Sequence, residues 1–113
     1  MPRQNLTPDV TPVCVVRAIT RLGQNIARAR IRRGLRQVDL AKKTGLALGT
    51  LKRIEGGSPT TALSAYFTVL WALGLEHEFE NLASPDRDEE GKTLELARQP
   101  KRVRPKDDLD ADF

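Results

Sequence analysis

Apolar residues recur in the middle of the chain with the spacing of two short helices joined by a turn. The stretch GLRQVDLAKKTGLALGTLKRIEGG begins at Gly34, and its apolar side chains are those of Leu35, Leu40, Ala41, Leu46, Leu51 and Ile54. Apolar residues three apart lie on one helical face. Gly45 falls between the two periodic segments, where a helix that ends with a positive φ favours glycine. The pattern predicts helices over about residues 37–44 and 48–55, the outline of a helix-turn-helix.

A long helix is predicted before this pair. Thr11 and Pro12 suit an N-cap and a first helical position, and apolar residues follow at helical spacing to about Arg33. Gly23 lies inside that run and costs up to about 1 kcal/mol there, so we expect a kink or a break. The run VCVV at residues 13–16 would also fit a short strand.

Two further helices are predicted over residues 62–73, ended by Gly74, and over residues 76–83. The fold class is therefore all-α, a five-helix arrangement with an extended N-terminal helix. A short helix over residues 88–98 is the remaining periodic segment, and Gly91 weakens it. The expected regions are a disordered N-terminus (1–11), a helical domain (12–83) and a flexible charged tail (84–113).

Charge is distributed unevenly along the chain. The formal net charge is +4, but residues 1–57 carry twelve Lys/Arg against three Asp/Glu, a net of +9. Residues 58–98 carry a net of −5, residues 99–106 add +4 and residues 107–113 add −4. A basic half of this kind is typical of a phosphate-binding face, although a solvated charged surface gives the same count.

Composition favours a protein of the cytoplasm. Cys14 is the single cysteine, so an intrachain disulfide is excluded and a reducing compartment is expected. The N-terminal residues are polar and proline-rich, with no pattern of a secretory signal. The most apolar run, residues 60–75, is too short to span a bilayer.

Residues that would carry catalysis or bind a metal do not cluster in this sequence. His77 is the single histidine and lies between two glutamates on a predicted surface helix. The acidic segment at residues 107–112 lacks the spacing, the central Gly and the final Glu of a calcium loop. No phosphate-loop or Cys-x-x-Cys pattern is present. We therefore expect no enzymatic activity, no metal and no cofactor.

Four residues of the second helix of the pair lie opposite its apolar face: Leu48, Gly49, Lys52 and Arg53. A helix that carries cations on its free face has the shape that enters a DNA major groove. Lysine and arginine donate hydrogen bonds to guanine O6 and N7, and leucine packs on a thymine methyl. Glycine has no side chain for reading but lets the backbone approach closely. These four residues are the predicted base-reading set.

The stretch resembles the Xre/Cro–phage-repressor helix-turn-helix family over about residues 20–83. The matching positions are Gly34, Leu35, Gln37, Leu40, Ala41, Gly45, Leu46, Ile54, Glu55 and Gly57. By this resemblance Leu48, Gly49 and Arg53 occupy base-reading positions. The resemblance further implies a homodimer on double-stranded operator DNA with an inverted repeat.

The same resemblance assigns phosphate contacts and a structural ion pair. Gln37 and Thr50 match phosphate-binding positions, and Arg36 and Lys43 are weaker candidates for that role. Arg30 and Glu55 match a partly buried pair that joins the first helix to the recognition helix. At the starts of the two motif helices, Arg36 and Ala47 replace the usual polar N-caps, at about 1 kcal/mol each.

Three aromatic residues mark a candidate dimer or partner surface: Phe67, Trp71 and Phe79. Exposed aromatic side chains are enriched at interfaces. The alternative is that Trp71 covers the core of its own domain.

The tail gives a second resemblance, to HipB-like antitoxins that bind HipA-type kinase toxins and repress their own operon. It is carried by LELARQPKRVR at residues 94–104, after an acidic segment. Its apolar anchors would be Leu94, Leu96, Leu109 and Phe113. Arg102 and Arg104 would contact an acidic partner or flanking DNA. A stand-alone repressor without a toxin partner is the alternative.

Overall fold

Helices account for all regular structure in residues 10–99, the part of the chain that the computed structural model describes. They are α1 (Val13–Arg32), α2 (Gln37–Thr44), α3 (Leu48–Glu55), α4 (Leu63–Ala72), α5 (Glu76–Phe79), a 3₁₀ turn (Pro85–Arg87) and α6 (Glu89–Arg98). No strand occurs in these residues, so the predicted all-α class is confirmed and the strand alternative for VCVV is wrong. The chain divides into two compact units between Glu80 and Asn81.

The first unit is organised around α3. Helix α3 packs against α1 and α2, while α4 packs against α2 and α5. The core side chains come from four helices and are those of Ile26, Leu40, Ala41, Leu51, Ile54, Tyr66, Val69, Leu70, Ala72 and Leu73. Because α3 is only eight residues long, its position depends on these contacts rather than on its own helix propensity.

Helix α1 is continuous through Gly23, so the expected break does not occur. Gly23 is buried, and a Cβ atom there would lie 2.5 Å from the carbonyl oxygen of Ile54 and 2.8 Å from the amide nitrogen of Gly57. Gly57 makes the reciprocal approach, because a Cβ on it would lie 2.5 Å from the Cα of Thr20. The two glycines let α1 touch the backbone at the end of α3.

The start of α1 and the end of α5 differ from prediction. Pro12, not Thr11, is the N-cap, with an extended ψ of 144° and a carbonyl that accepts from the amides of Val15 and Val16. Thr11 is buried, so the predicted disorder does not extend to it. Helix α5 stops at Phe79, four residues before the predicted end, and Ala83 has a φ of +56°, which a continuing right-handed helix excludes.

The turn between α2 and α3 is the one that the sequence predicts. Gly45 is the C-cap of α2 with a φ of +76°. The Thr44 hydroxyl donates to the carbonyl oxygens of Leu40 and Ala41 and accepts from the amide of Leu46 at 3.3 Å. Three residues therefore join the two helices.

The second unit holds the 3₁₀ turn and α6. Asp88 is the N-cap of α6, and its Oδ1 accepts from the Gly91 amide at 2.9 Å. A Cβ at Gly91 would overlap the Asp88 carboxylate, so this glycine permits the cap instead of simply weakening the helix. The predicted short helix over residues 88–98 is confirmed, and its side chains are exposed. Residues 1–9 and 100–113, with their predicted flexibility, lie outside the described residues.

Candidate nucleic-acid interface

The predicted base-reading residues lie together on the exposed face of α3. Leu48, Gly49, Lys52 and Arg53 are all exposed, whereas Leu51 and Ile54 on the other face are fully buried. Ala47 precedes the helix without a side-chain cap, as expected. The face carries two cations and no carboxylate, so it presents positive charge around a small apolar surface.

Arg53 is oriented along this face by Thr50. Its Nη2 donates to the Thr50 hydroxyl oxygen at 3.2 Å. A Cβ added to Gly49 would lie 3.7 Å from Nη1 of Arg53, which is ordinary contact distance. The Arg53 guanidinium therefore lies beside Gly49, within contact distance of any side chain placed there. Thr50, predicted to hold a phosphate, serves here as a partner of Arg53; its phosphate contact stays a prediction.

One hydrogen-bond network joins Glu55, the last residue of α3, to Arg30 of α1 and Gln37 of α2. Arg30 Nε donates to Oε2 of Glu55 at 2.7 Å and its Nη2 to Oε1 at 3.0 Å, while the side chains are only 12% and 7% exposed. Arg30 Nη1 also donates to the carbonyl oxygen of Leu35. The expected ion pair between α1 and the end of α3 is present.

Gln37 completes this network from the start of α2. Its Nε2 donates to Oε1 of Glu55 at 2.9 Å. The amide was assigned to a phosphate by resemblance, and in this structure its nitrogen is bound to a carboxylate instead. A phosphate contact would need the amide oxygen to turn away or Nε2 to exchange partners, and it stays a prediction.

The Arg36 side chain is exposed and pairs with Asp39. Asp39 Oδ2 accepts from the Arg36 amide at 2.9 Å and from its Nε at 3.0 Å, and Oδ1 accepts from Nη2 at 2.9 Å. The side-chain bonds to Arg36, and then its backbone bond, lower the pKa of Asp39 to about 2. Asp39 thus supplies one half of a capping box, while the Arg36 side chain makes no N-cap hydrogen bond, as the sequence predicts.

Further cations lie at the end of α2. Lys42 and Lys43 occupy its last turn, where positive charge is favoured by the helix dipole, and both are exposed. Lys43 therefore lies on an exposed turn next to the α2–α3 connection, and its phosphate contact stays a prediction.

The three aromatic residues do not form one exposed surface. Phe67 and Phe79 are half-buried, stack with ring centroids 4.3 Å apart and pack against the core. Trp71 is 60% exposed, so the alternative that it covers its own core is wrong. Trp71 remains the candidate contact of this group.

Apolar side chains on α6 are exposed in the second unit. Leu94 is 52% and Leu96 68% exposed. Leu109, Phe113, Arg102 and Arg104, together with the acidic segment at residues 107–112, lie outside the described residues. Within residues 10–99, no group of three or more His, Cys, Asp or Glu residues could hold a metal ion.

Asp39 and Gly23 are the residues whose roles the sequence reasoning missed. The signal for Asp39 was its place three residues after a helix N-cap, the position at which a carboxylate returns to the N-cap amide. Gly23 gave no local signal, because its role depends on backbone more than thirty residues away.

A search of the described residues finds no helix that is both long and apolar enough to cross a membrane. Comparison of the chain with family models, with curated proteins and with solved structures gave no significant match.

Proposed function

We propose that the chain is a sequence-specific DNA-binding transcriptional repressor in which α2, the turn at Gly45 and α3 act as a helix-turn-helix. The observation that carries the proposal is the exposed face of α3. It presents Lys52 and Arg53 without a carboxylate, while its opposite face is locked in the core. A short helix fixed in this way can enter a major groove without first being ordered.

Arg53 is the proposed principal base reader. An arginine that donates two hydrogen bonds to guanine O6 and N7 contributes about 1–3 kcal/mol of discrimination. The bond to Thr50 restricts its rotamers before DNA arrives. Gly49 adds no side chain beside the Arg53 guanidinium, and Leu48 at the first turn is exposed for contact with a thymine methyl.

Phosphates would be held around the start of α2 and its last turn. Amide groups at a helix N-terminus bind anions, and Gln37 lies at that end of α2. Arg36 would have to leave Asp39 for a phosphate, so we rank it below Lys43, which is also exposed and has no ion pair among the described residues. These contacts fix the register of the protein without reading sequence.

The proposed active form is a homodimer on two half-sites about 34 Å apart or a multiple of that distance. Trp71 is the proposed dimer contact, because it is the exposed aromatic residue of the first unit. Trp71→Glu should leave the helix content unchanged and shift sedimentation towards the monomer. Leu82→Glu, at a leucine of similar exposure in the second unit, is the control. A dimer unaffected by Trp71→Glu would place the interface elsewhere.

A second candidate function is that of an antitoxin that also binds a HipA-like kinase toxin. The observation that favours it is α6, a helix with no buried residue that exposes Leu94 and Leu96. A partner surface would cover these side chains. The double variant Leu94→Glu/Leu96→Glu should then lose co-purification with a kinase partner and keep DNA binding. Retained co-purification would place the toxin contact elsewhere on the chain, whereas recovery of no kinase partner with the wild-type chain would leave the stand-alone repressor.

Selection of bound duplexes from a random pool tests the principal proposal. The wild-type chain should enrich an inverted repeat, and the variant Lys52→Ala/Arg53→Ala should enrich no common sequence. Arg87→Ala/Arg98→Ala removes the same charge from the second unit and should enrich the wild-type sequence. Equal enrichment by wild type and Lys52→Ala/Arg53→Ala would refute base reading by these residues.

A further inference from the structure

A row of four arginines runs along α1 on the side away from the core: Arg17, Arg21, Arg28 and Arg32. At 100° per residue the four fall within an arc of about 60°, and the buried Ile26 lies on the opposite side of the helix. All four side chains are exposed. We call this row the arginine ridge.

No arginine of the ridge has an ionic partner among the described residues. Helix α1 contains no acidic residue, and the sequence has none between Asp9 and Asp39. Within residues 10–99, the ion pairs involve Arg30, Arg36, His77 and Lys92 but no arginine of the ridge. Like charges four residues apart, as in Arg17 and Arg21, destabilise an isolated helix by about 0.2–0.5 kcal/mol. The ridge therefore opposes folding slightly, and a role in binding is the simpler reason for it.

The ridge is separate from the exposed face of α3. Helix α1 contacts the end of α3 at Gly23. Around the helix axis, Gly23 lies about 150° from the centre of the ridge. The residues assigned above to DNA reading include none of the four arginines. The proposed function accordingly leaves this surface unused.

We infer that the arginine ridge is a second, sequence-independent binding surface for the phosphate backbone of duplex DNA. Every member is an arginine, the side chain that binds phosphate through two parallel hydrogen bonds. The members form two pairs, Arg17 with Arg21 and Arg28 with Arg32. Between the pairs, Arg21 and Arg28 are about 10 Å apart along the helix axis. This separation is close to the roughly 12 Å width of a major groove. A helix that crosses the groove would set one pair on each strand.

Gln24 lies between the two pairs on the same side of the helix and is exposed. An uncharged residue at the centre with cations at both ends fits a groove bounded by two phosphate strands. An acidic protein surface would not require that spacing, so duplex DNA is the favoured occupant.

The salt dependence of binding to a random-sequence duplex tests the inference on the full-length chain. Each lost phosphate contact lowers the slope of log K against log salt by about 0.9. Arg21→Gln/Arg28→Gln should lower the slope by about 1.8 and weaken binding. The control Arg87→Gln/Arg98→Gln, with the same loss of charge, should leave the slope unchanged. Circular dichroism should show the same helix content in all variants.

Repeating the titration in a Lys52→Ala/Arg53→Ala background separates the ridge from the proposed function. The ridge variant should still lower the slope there. If only the ridge variant weakens binding and Lys52→Ala/Arg53→Ala has no effect on any duplex, the ridge stands and the proposed function fails. An equal change in ridge and control variants would overturn the inference. The inference would also be overturned if the ridge variant kept the salt dependence of duplex binding but lost binding to poly-glutamate. That result would indicate an acidic protein partner.

Discussion

Gln37 Nε2 lies 2.9 Å from Oε1 of Glu55, the carboxylate that also pairs with Arg30. One side chain at the end of α3 thus binds both α1 and the start of α2. The two ends of the proposed DNA-contacting unit are tied to each other through a single carboxylate. We expect the orientation of α3 to depend on this connection.

Removing either member of the Arg30–Glu55 pair should destabilise the fold. The side chains are nearly buried, so Arg30→Ala or Glu55→Ala leaves an uncompensated charge and should cost about 3–5 kcal/mol of unfolding free energy. Denaturant unfolding of both single variants and of the double variant gives the coupling energy. Arg28→Ala, on the exposed side of α1, is the control and should cost little. Zero coupling would remove the pair from this account.

Gly23 and Gly49 should respond in opposite directions to alanine. A Cβ at Gly23 would meet three backbone atoms within 2.8 Å, so Gly23→Ala should destabilise by about 1–3 kcal/mol despite its better helix propensity. A Cβ at Gly49 would meet nothing closer than 3.7 Å, so Gly49→Ala should stabilise by about 0.5–1 kcal/mol. Thermal unfolding measures both. A stable Gly23→Ala variant would contradict the close approach of α1 to α3.

The Asp39 carboxyl should titrate at an unusually low pH. Its pKa is lowered from 3.8 to about 2, chiefly by the side-chain hydrogen bonds from Arg36. The bonds between Asp39 and Arg36 therefore contribute fully above about pH 4 and are lost as the pH falls through about 2. Side-chain carboxyl NMR measures the midpoint. Arg36→Gln should raise the pKa towards 3.8, and an unchanged midpoint would show that Arg36 is not the cause.

Local signals were enough to predict α2 and α3. Helical periodicity and the single glycine between the segments placed both helices at the residues where the structure has them, 37–44 and 48–55. These signals depend on neighbours within a few residues. The end of α5 was missed, since the apolar Leu82 and Ala83 continue the pattern although the backbone turns.

Long-range contacts decided what the sequence could not. The partner of Gln37, eighteen residues away, is a choice between rotamers of a long polar side chain, and composition does not determine it. The exposure of Trp71 was undecided because α4 is apolar on several sides: Tyr66, Val69 and Leu70 are buried on one side, while the apolar Leu63 is exposed. Only the packing of the helix shows which of its apolar residues remains outside.

The ratio of affinities for a selected duplex and its scrambled counterpart, measured at one salt concentration, tests the central claim most directly. Specific sites are bound about 10³-fold or more tightly than random DNA, and we predict a ratio in this range for the wild-type chain. Lys52→Ala/Arg53→Ala should weaken binding to the selected duplex much more than to the scrambled one, because the lost contacts are to bases. Equal losses on both duplexes would contradict base reading by α3, leaving only phosphate contact for these side chains.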